Sequence, residues 1–417
     1  MVSIFSFPIT KETWAITTDC TLFPEQLELF TGQSMSDIDV RSTVENLVIG
    51  ISLYEPRTSG DYSFWLQNVL DFCKNSRHFP KLKNVYILYD TAYIGTDSFA
   101  TSYNVYKIKV PFLFLRSELS KKRSPMLKSK PWDKSNGKIL YLIGDIRNRP
   151  HKFPVLYEFY INNSLDILEY TLNTDFGFWE QNIHPMDVRH WGSTTFMLNI
   201  AYDLKLSHND FVNLYKKLER RFPQDSYRSA NKMENGINVL TYHFPNEWND
   251  ASLIIANESS FSIPVDPEFR NSEDFPFTEK IWKPILTKKP FMSNSEFDGV
   301  ETTLEKMGFR TFSKYTDYSK KISLPMDMRH ATVRYYASTT YKRSKNFIQN
   351  MDKYRNEIND DIEHNYQHWN TLLQISWDSL YSACPPLSKI SKEDFCDSFM
   401  TTPISDVFTK YLQDQNV

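Results

Sequence analysis

The stretch ASLIIANESSF (251–261), followed after a polar loop by FPFTEKIWKPILTKKPFM (275–292), decides the fold. Leu253, Ile254, Ile255 and Ala256 form a short unbroken apolar run, the pattern of a parallel strand buried on both faces. Asn257 and Glu258 follow at the strand's C-terminal end, where open α/β sheets place their binding crevice. Thr278 is a candidate N-cap for a helix carrying Ile281, Trp282 and Ile285, and Pro284 inside that run predicts a short or kinked helix. Pro290, Phe291 and Met292 read as the next strand. Strand, helix and strand in this order predict a βαβ unit of an α/β fold.

Glu279 and Lys280 fall in the first turn of that helix. A carboxylate there can accept hydrogen bonds from the vicinal hydroxyls of a ribose. An ammonium beside a helix N-terminus can neutralise a phosphate while backbone N–H groups donate to it. The same pair also suits an ordinary capped helix with a solvated Glu–Lys face, and spacing alone leaves both readings open.

The composition narrows the classes. A chain of 417 residues exceeds what one core organises, so two domains are expected. With 41% hydrophobic residues it can bury a large core, which excludes a disordered chain. Eleven glycines occur without a G-x-G-x-x-G or G-x-x-x-x-G-K-[ST] arrangement, so side-chain cations are the expected phosphate ligands. Cys20, Cys73, Cys384 and Cys396 show no C-x-x-C spacing and read as reduced thiols of a cytoplasmic protein. The start MVSIFSFPITKETW is too short and polar for a signal peptide. No apolar run approaches the ~18 residues of a membrane span, so no membrane partner is expected. A net charge of −3 does not announce a nucleic-acid binder.

Residues 1–120 read as an N-terminal Rossmann-like half. Leu47–Tyr54 is a strong strand pattern closed by Glu55 and Pro56, 64–72 (FWLQNVLDF) has helical spacing, Val85–Tyr89 is a second strand ending at Asp90, and Val110–Leu115 is a third apolar run. Glu55 lies just past a strand end, either as a carboxylate facing a cleft or as a turn residue before proline. Segment 121–137 is a basic linker. Lys121, Lys122, Arg123, Lys128, Lys130, Lys134 and the flanking Lys138 face only Asp133. It reads either as a solvated connection or as a polyanion contact beside the cleft, with Trp132 available to stack on a base.

A second Rossmann-like domain is expected over 138–339. KILYLI (138–143) is its first strand, and Arg147, Arg149 and Lys152 follow in a loop entering a helix, where a pyrophosphate would lie, or as surface cations near a helix start. Phe211–Leu218 has the spacing of a surface helix and Val239–Tyr242 that of a short strand. His184, His190, His208 and His243 lack metal-ligand spacing. From 340 to 417 the chain reads as helices, with a stripe at Ile362, Tyr366, Trp369, Leu373, Ile375, Trp377 and Leu380.

Several of these segments resemble a known family. The strand with Asn257 and Glu258, the T-E-K-x-W helix start, the 283–285 and 290–292 segments and LEKMGFRTF (304–312) resemble the donor site of fucosyltransferases and of glycosyltransferase-like proteins of tailed phages. GDIRNRPHKFPVLYEFYINN (144–163) resembles a further segment, with Lys152 where those phage proteins carry arginine. Tyr315–Tyr318 stands where they carry an acidic turn. The resemblance spans 138–320 and is densest over 253–312.

It implies a GT-B fold, two facing Rossmann-like domains with C-terminal helices (340–417) returning to the first. It implies a nucleotide-sugar-dependent glycosyltransferase, inverting, with a UDP- or GDP-linked donor. Arg147, Arg149, Lys152 and Lys280 would then hold the pyrophosphate, Thr278 cap the helix, Glu279 bind the ribose and Glu258 contact the sugar or orient Lys280. An acid of the N-terminal domain would be the general base, Glu55 first and Asp90 in reserve. No D-x-D motif anchors a divalent metal, so no metal or other cofactor is expected to be obligatory. Hydroxylated cytosine in double-stranded phage DNA is the first acceptor expectation. A surface saccharide, a protein, and a non-transferase role as an epimerase or nucleotide-binding subunit are the alternatives.

Overall fold

Apolar runs too short for helices and flanked by turn residues pair here as parallel strands. The computed structural model describes residues 4–18, 43–51, 70, 79–89, 103–110, 115, 117, 132, 136–145, 152–173, 204–218, 233–234, 237–238, 247–256, 279–294, 299–316 and 329–399. The chain divides into two compact units, one of 1–123, 230–242 and 371–417, the other of 124–229 and 243–370. Both are built on parallel sheets.

The first unit holds β1 (Ile4–Thr10), β2 (Thr13–Thr18), β3 (Asn46–Ile51), β4 (Asn84–Tyr89) and β5 (Asn104–Lys109), hydrogen-bonded in that order. The β1–β2 pair is antiparallel and the rest are parallel. Leu47, Val48 and Ile49 of β3 and Val85, Ile87 and Leu88 of β4 are fully buried, as strands covered on both faces should be. Asn46, Asn84 and Asn104 stand in one row across β3, β4 and β5. The Asn84 amide donates to Asn46 at 2.9 Å and the Asn104 amide to Asn84 at 3.1 Å. That ladder marks the register, which a one-residue slip would destroy.

The sequence reading takes 110–115 as a third apolar run and marks no strand directly before it. The strand is 104–109, and Leu115, from the apolar run 110–115, is helical. β5 (NVYKIK) has no buried residue, only exposed and half-buried ones, and no apolar run to read. The Tyr86 face of the sheet meets Cys384, and burial pushes that thiol up to about 12, which leaves it an inert core residue.

The second unit contains β6 (Lys138–Asp145), α1 (Phe153–Ile161), β7 (Leu168–Asn173) and α2 (His208–Leu218). The chain then returns to the first unit for the short pair β8 (Met233–Glu234) and β9 (Ile237–Asn238). Back in the second unit follow α3 (Glu247–Asp250), β10 (Ala251–Ala256), α4 (Glu279–Leu286), β11 (Phe291–Ser293), α5 (Gly299–Lys306), α6 (Arg329–Asn350) and α7 (Arg355–Ala383) as far as residue 370; the rest of α7 and α8 (Lys392–Phe399) belong to the first. The sheet order is β11-β10-β6-β7, parallel throughout.

The connections β6–α1–β7 and β10–α4–β11 progress in opposite directions across this sheet. Right-handed crossovers therefore put α1 and α4 on opposite faces. α6 joins α1, with Phe159 edge-on to Tyr341 at 4.9 Å, and runs against β10 and β11. This places 340–370 with the second unit, whereas the sequence reading returned all of 340–417 to the first. Phe347 meets Trp132, Phe312 and Tyr315, which explains the difference. On α7, Trp369, Leu373, Trp377 and Leu380 are buried, but Ile375 is 54% exposed, half a turn out of phase.

Three helices of this unit end alike. After α1, Asn163 has φ 50° and Ser164 N–H donates to Phe159 O; after α4, Lys288 has φ 54° and Lys289 N–H donates to Pro284 O; after α5, Gly308 has φ 93° and Phe309 N–H donates to Leu304 O. These are Schellman endings, each needing a left-handed residue. Asparagine and glycine suit that geometry, and lysine does not. Lys288 is held there by Glu363 at 2.6 Å and by the Tyr366 ring at 4.3 Å. That bond is also what draws the Glu363 carboxyl below its usual range.

Lys288→Gly is expected to be more stable than Lys288→Ala by about 0.5–1 kcal/mol, since both lose the same contacts and only alanine keeps the strain. Gly308→Ala is expected to cost more than about 1 kcal/mol, because a Cβ there would lie 2.8 Å from His368 Nε2. Urea denaturation midpoints check both signs.

Candidate functional site

The strand order defines where a ligand fits. After β7 the chain crosses β6 to add β10 on its other side, so β6 and β10 flank a topological switch point. Ligands of open α/β sheets bind outside the carboxyl ends of the strands at such a point. Among the described strands of the first unit, β2 to β5 follow in sequential order without a reversal. The crevice rule therefore selects the second unit.

Two helix N-termini converge on this end of the sheet. α1 and α4 each return antiparallel to the parallel strands they connect, so both begin at the carboxyl ends, one on each face. Each presents the positive end of its dipole there. Glu279 is the first residue of α4, and Lys280, half-buried, the second. Ile281, Trp282 and Ile285 are buried, anchoring the helix against the sheet as its apolar spacing requires.

Beneath the crevice lies a buried polar chain. Lys152, at the N-cap of α1 and 4% exposed, donates through Nζ to the carbonyl of Ile143 at 3.2 Å. Its own carbonyl accepts the Tyr141 hydroxyl at 2.7 Å, and that hydroxyl accepts the Asn294 amide at 3.2 Å. Asn294, just after β11, also donates its backbone N–H to Ala256 O at 2.9 Å. Tyr141 and Asn294 gave no sequence signal, since one reads as strand core and the other as a turn residue.

Lys152 thus stands at the expected position between strand and helix, with its ammonium turned inward onto β6. Its role as a pyrophosphate ligand is corrected to that extent, because desolvation of a lysine needs the carbonyl partner it has found. Glu55, Asp90, Arg147, Arg149, Glu258, Thr278, Lys121, Lys122, Arg123, Lys128, Lys130 and Lys134 lie outside the described residues, as does the side chain of Glu279.

Trp132 is corrected outright. It is 3% exposed, its indole N–H donates to Ser252 O at 2.7 Å, and its ring meets Phe347 edge-on and Arg355 at 5.9 Å. A base cannot stack on it. Ser252 also accepts the Gly137 N–H, and Lys138 donates to the Asp166 carbonyl. This end of the linker therefore sits at the amino ends of β6 and β10, roughly 13 Å of strand away from the crevice. The indole needed a hydrogen-bond acceptor once buried, and the start of β10 supplies it.

The segment 307–316 is a second polar cluster that sequence reasoning missed. Asp361 of α7, 2% exposed, takes the Tyr315 hydroxyl at 2.6 Å, Lys314 at 2.6 Å and Arg310 at 3.3 Å. Burial first, and this hydrogen bond second, hold the Tyr315 phenol protonated well above its usual range. Asn365 pairs both backbone groups of Arg310, while His364 and His368 meet the carbonyls of Gly308 and Met307. These bonds cap the end of α5 and latch its loop to α7. Among the described residues, no group of three or more His, Cys, Asp or Glu could hold a metal ion, and no helix is long and apolar enough to cross a membrane.

Comparison with protein-family models, with curated proteins and with solved structures finds no match.

Trp132→Leu is expected to cost about 3 kcal/mol of stability, through lost packing and an orphaned Ser252 carbonyl. Well below its melting temperature the variant should bind a DNA duplex no more weakly than the parent does. Fluorescence anisotropy beside a urea titration separates this from a base-stacking role, which would weaken DNA binding and spare stability.

Proposed function

We propose that the switch-point crevice of the second unit binds a nucleoside diphosphate-linked sugar, and that the chain transfers the sugar to an acceptor hydroxyl. The observation that carries this reading is the convergence of two helix N-termini, α1 and α4, on the carboxyl ends of β6 and β10. Such an end favours an anion, and a diphosphate can span two of them. The Glu279–Lys280 start of α4 then stands where a ribose and a phosphate would meet.

In this mechanism Arg147, Arg149 and Lys280 neutralise the pyrophosphate and stabilise the departing nucleoside diphosphate. Glu279 accepts hydrogen bonds from the ribose, and Glu258 contacts the sugar or orients Lys280. Lys152 shapes the strand end and leaves direct phosphate contact to the two arginines. Glu55, with Asp90 in reserve, removes the proton of the acceptor hydroxyl as that oxygen attacks the anomeric carbon. One displacement inverts the configuration. The overall architecture proposed is GT-B, with the donor in the second unit. Hydroxylated cytosine in DNA loses the stacking contribution of Trp132, and its remaining support is the charge of the linker lysines and Arg123.

Incubating the chain with UDP- and GDP-sugars and hydroxymethylcytosine DNA, saccharide or protein acceptors, followed by mass spectrometry, tests the reaction. A sugar mass on one acceptor is expected, together with release of the nucleoside diphosphate. Glu55→Gln should keep donor binding within about twofold and lose at least ~100-fold in turnover. Lys280→Ala should weaken donor binding about tenfold or more. Binding that is indifferent to Lys280→Ala contradicts the reading. Turnover indifferent to Glu55→Gln shifts the base to Asp90 or removes the transferase assignment.

A further inference from the structure

The backbone of Asn294 bonds one side of the switch point and its side chain bonds the other. Its N–H closes onto Ala256, the last residue of β10, at 2.9 Å. Its amide donates at 3.2 Å to Tyr141 of β6. Tyr141 stands in one row with Ile255 and Met292, so its ring lies on the face covered by α6, whose Ser344 hydroxyl reaches Met292 Sδ. From that row the phenol reaches the carboxyl end of the sheet, where it donates to Lys152 O at the mouth of α1. Lys152 Nζ then returns to Ile143 O near the end of β6.

At this end β6 stays paired with β7 through Gly144↔Leu172 and Asp145↔Asn173, and β10 with β11 through Ala256↔Ser293. Among the described residues the β6–β10 register runs from Ala251↔Lys138 to Ile255↔Tyr141, and residues 142–145 of β6 lie beyond it. The Asn294 side chain adds a link from the β10–β11 pair to β6 at this end. Asn294 is 1% exposed and Tyr141 fully buried. Each hydroxyl or amide hydrogen bond in this chain therefore operates without competition from water.

We propose that Asn294 and Tyr141 are positioning residues of the crevice. They fix the spacing between the ends of β6 and β10, and hence between the N-termini of α1 and α4, at the value a nucleoside diphosphate needs. The ligand class rests on the function proposed above, whereas the tie between the strand ends does not. Neither residue touches the ligand. Both act through Lys152 and the backbone of Ala256, and misplacing two anion-binding helix ends by a fraction of an ångström weakens both at once.

The test uses the full chain and three variants. Tyr141→Phe keeps the ring and removes the hydroxyl, and Asn294→Ala removes the amide. Glu301→Gln breaks the buried pair with Arg343 elsewhere in the same unit and serves as the stability control. Amide hydrogen exchange is followed at 143–145, 255–256 and 294, and UDP and GDP affinity is measured by calorimetry well below the melting temperature.

The expected result is exchange at least tenfold faster at those amides in Tyr141→Phe and in Asn294→Ala. Nucleotide affinity should fall about tenfold in both, while Glu301→Gln changes neither readout. Unaltered exchange at 143–145 and 255–256 in either folded variant overturns the proposal, and so does an equal response in the control. Failure of the parent to bind UDP or GDP overturns only the ligand class, since the exchange result still decides the tie. Should Tyr141→Phe fail to fold, Asn294→Ala carries the same two readouts.

Discussion

The parallel pairing of β10 with β6 is the constraint on which the second unit depends. β6 already carries β7 on one edge, so β10 can join only on the other, and the chain must reverse its direction of travel across the sheet. From that reversal follow the opposite placements of α1 and α4, the free face beside α1 that α6 fills, and the crevice between the strand ends. The apolar run 253–256 drives the pairing. Buried on both faces, it has no stable place except the interior of a covered parallel sheet.

Around that sheet, polar groups are used sparingly and mostly to finish helices. The three Schellman endings satisfy last-turn carbonyls locally. α7 supplies what they leave over, with His364 and His368 on the carbonyls after α5 and Asp361 and Asn365 on Arg310, Lys314 and Tyr315. A carboxylate as buried as Asp361 would be costly alone, and two cations with a phenol make it tolerable. The same economy governs Trp132, whose buried N–H is matched to Ser252 O at the start of β10.

Much of the second unit was legible in the sequence because its signals are strong. β6, β10, β11 and α4 fall within a few residues of their expected positions, since unbroken apolar runs, a proline in the helix and the polar loop all agree. α2 was legible through Phe211, Tyr215 and Leu218, which are buried while the rest of its surface is exposed or half-buried. Strands with no run to read were missed, namely β5 at an edge, β7, and the antiparallel pair β1–β2. Trp132 failed for a different reason. A tryptophan among lysines looks exposed by its neighbours, yet a buried partner distant in sequence, Ser252, decided its fate. Within the site, cations and carboxylates near strand ends are visible in a sequence. The Asn294–Tyr141–Lys152 chain joins three segments whose proximity only the fold creates.

The most direct measurement is photo-crosslinking with an azido-substituted UDP or GDP analogue, followed by peptide mapping. A ligand in the switch-point crevice predicts adducts near the carboxyl ends of β6 and β10 and the first turn of α4, within 143–152, 256–260 or 278–282, lost on competition with unlabelled nucleotide. Competed adducts confined to 1–123, or to the amino ends of the strands around 132–138 and 250–252, would contradict a binding crevice at the strand reversal.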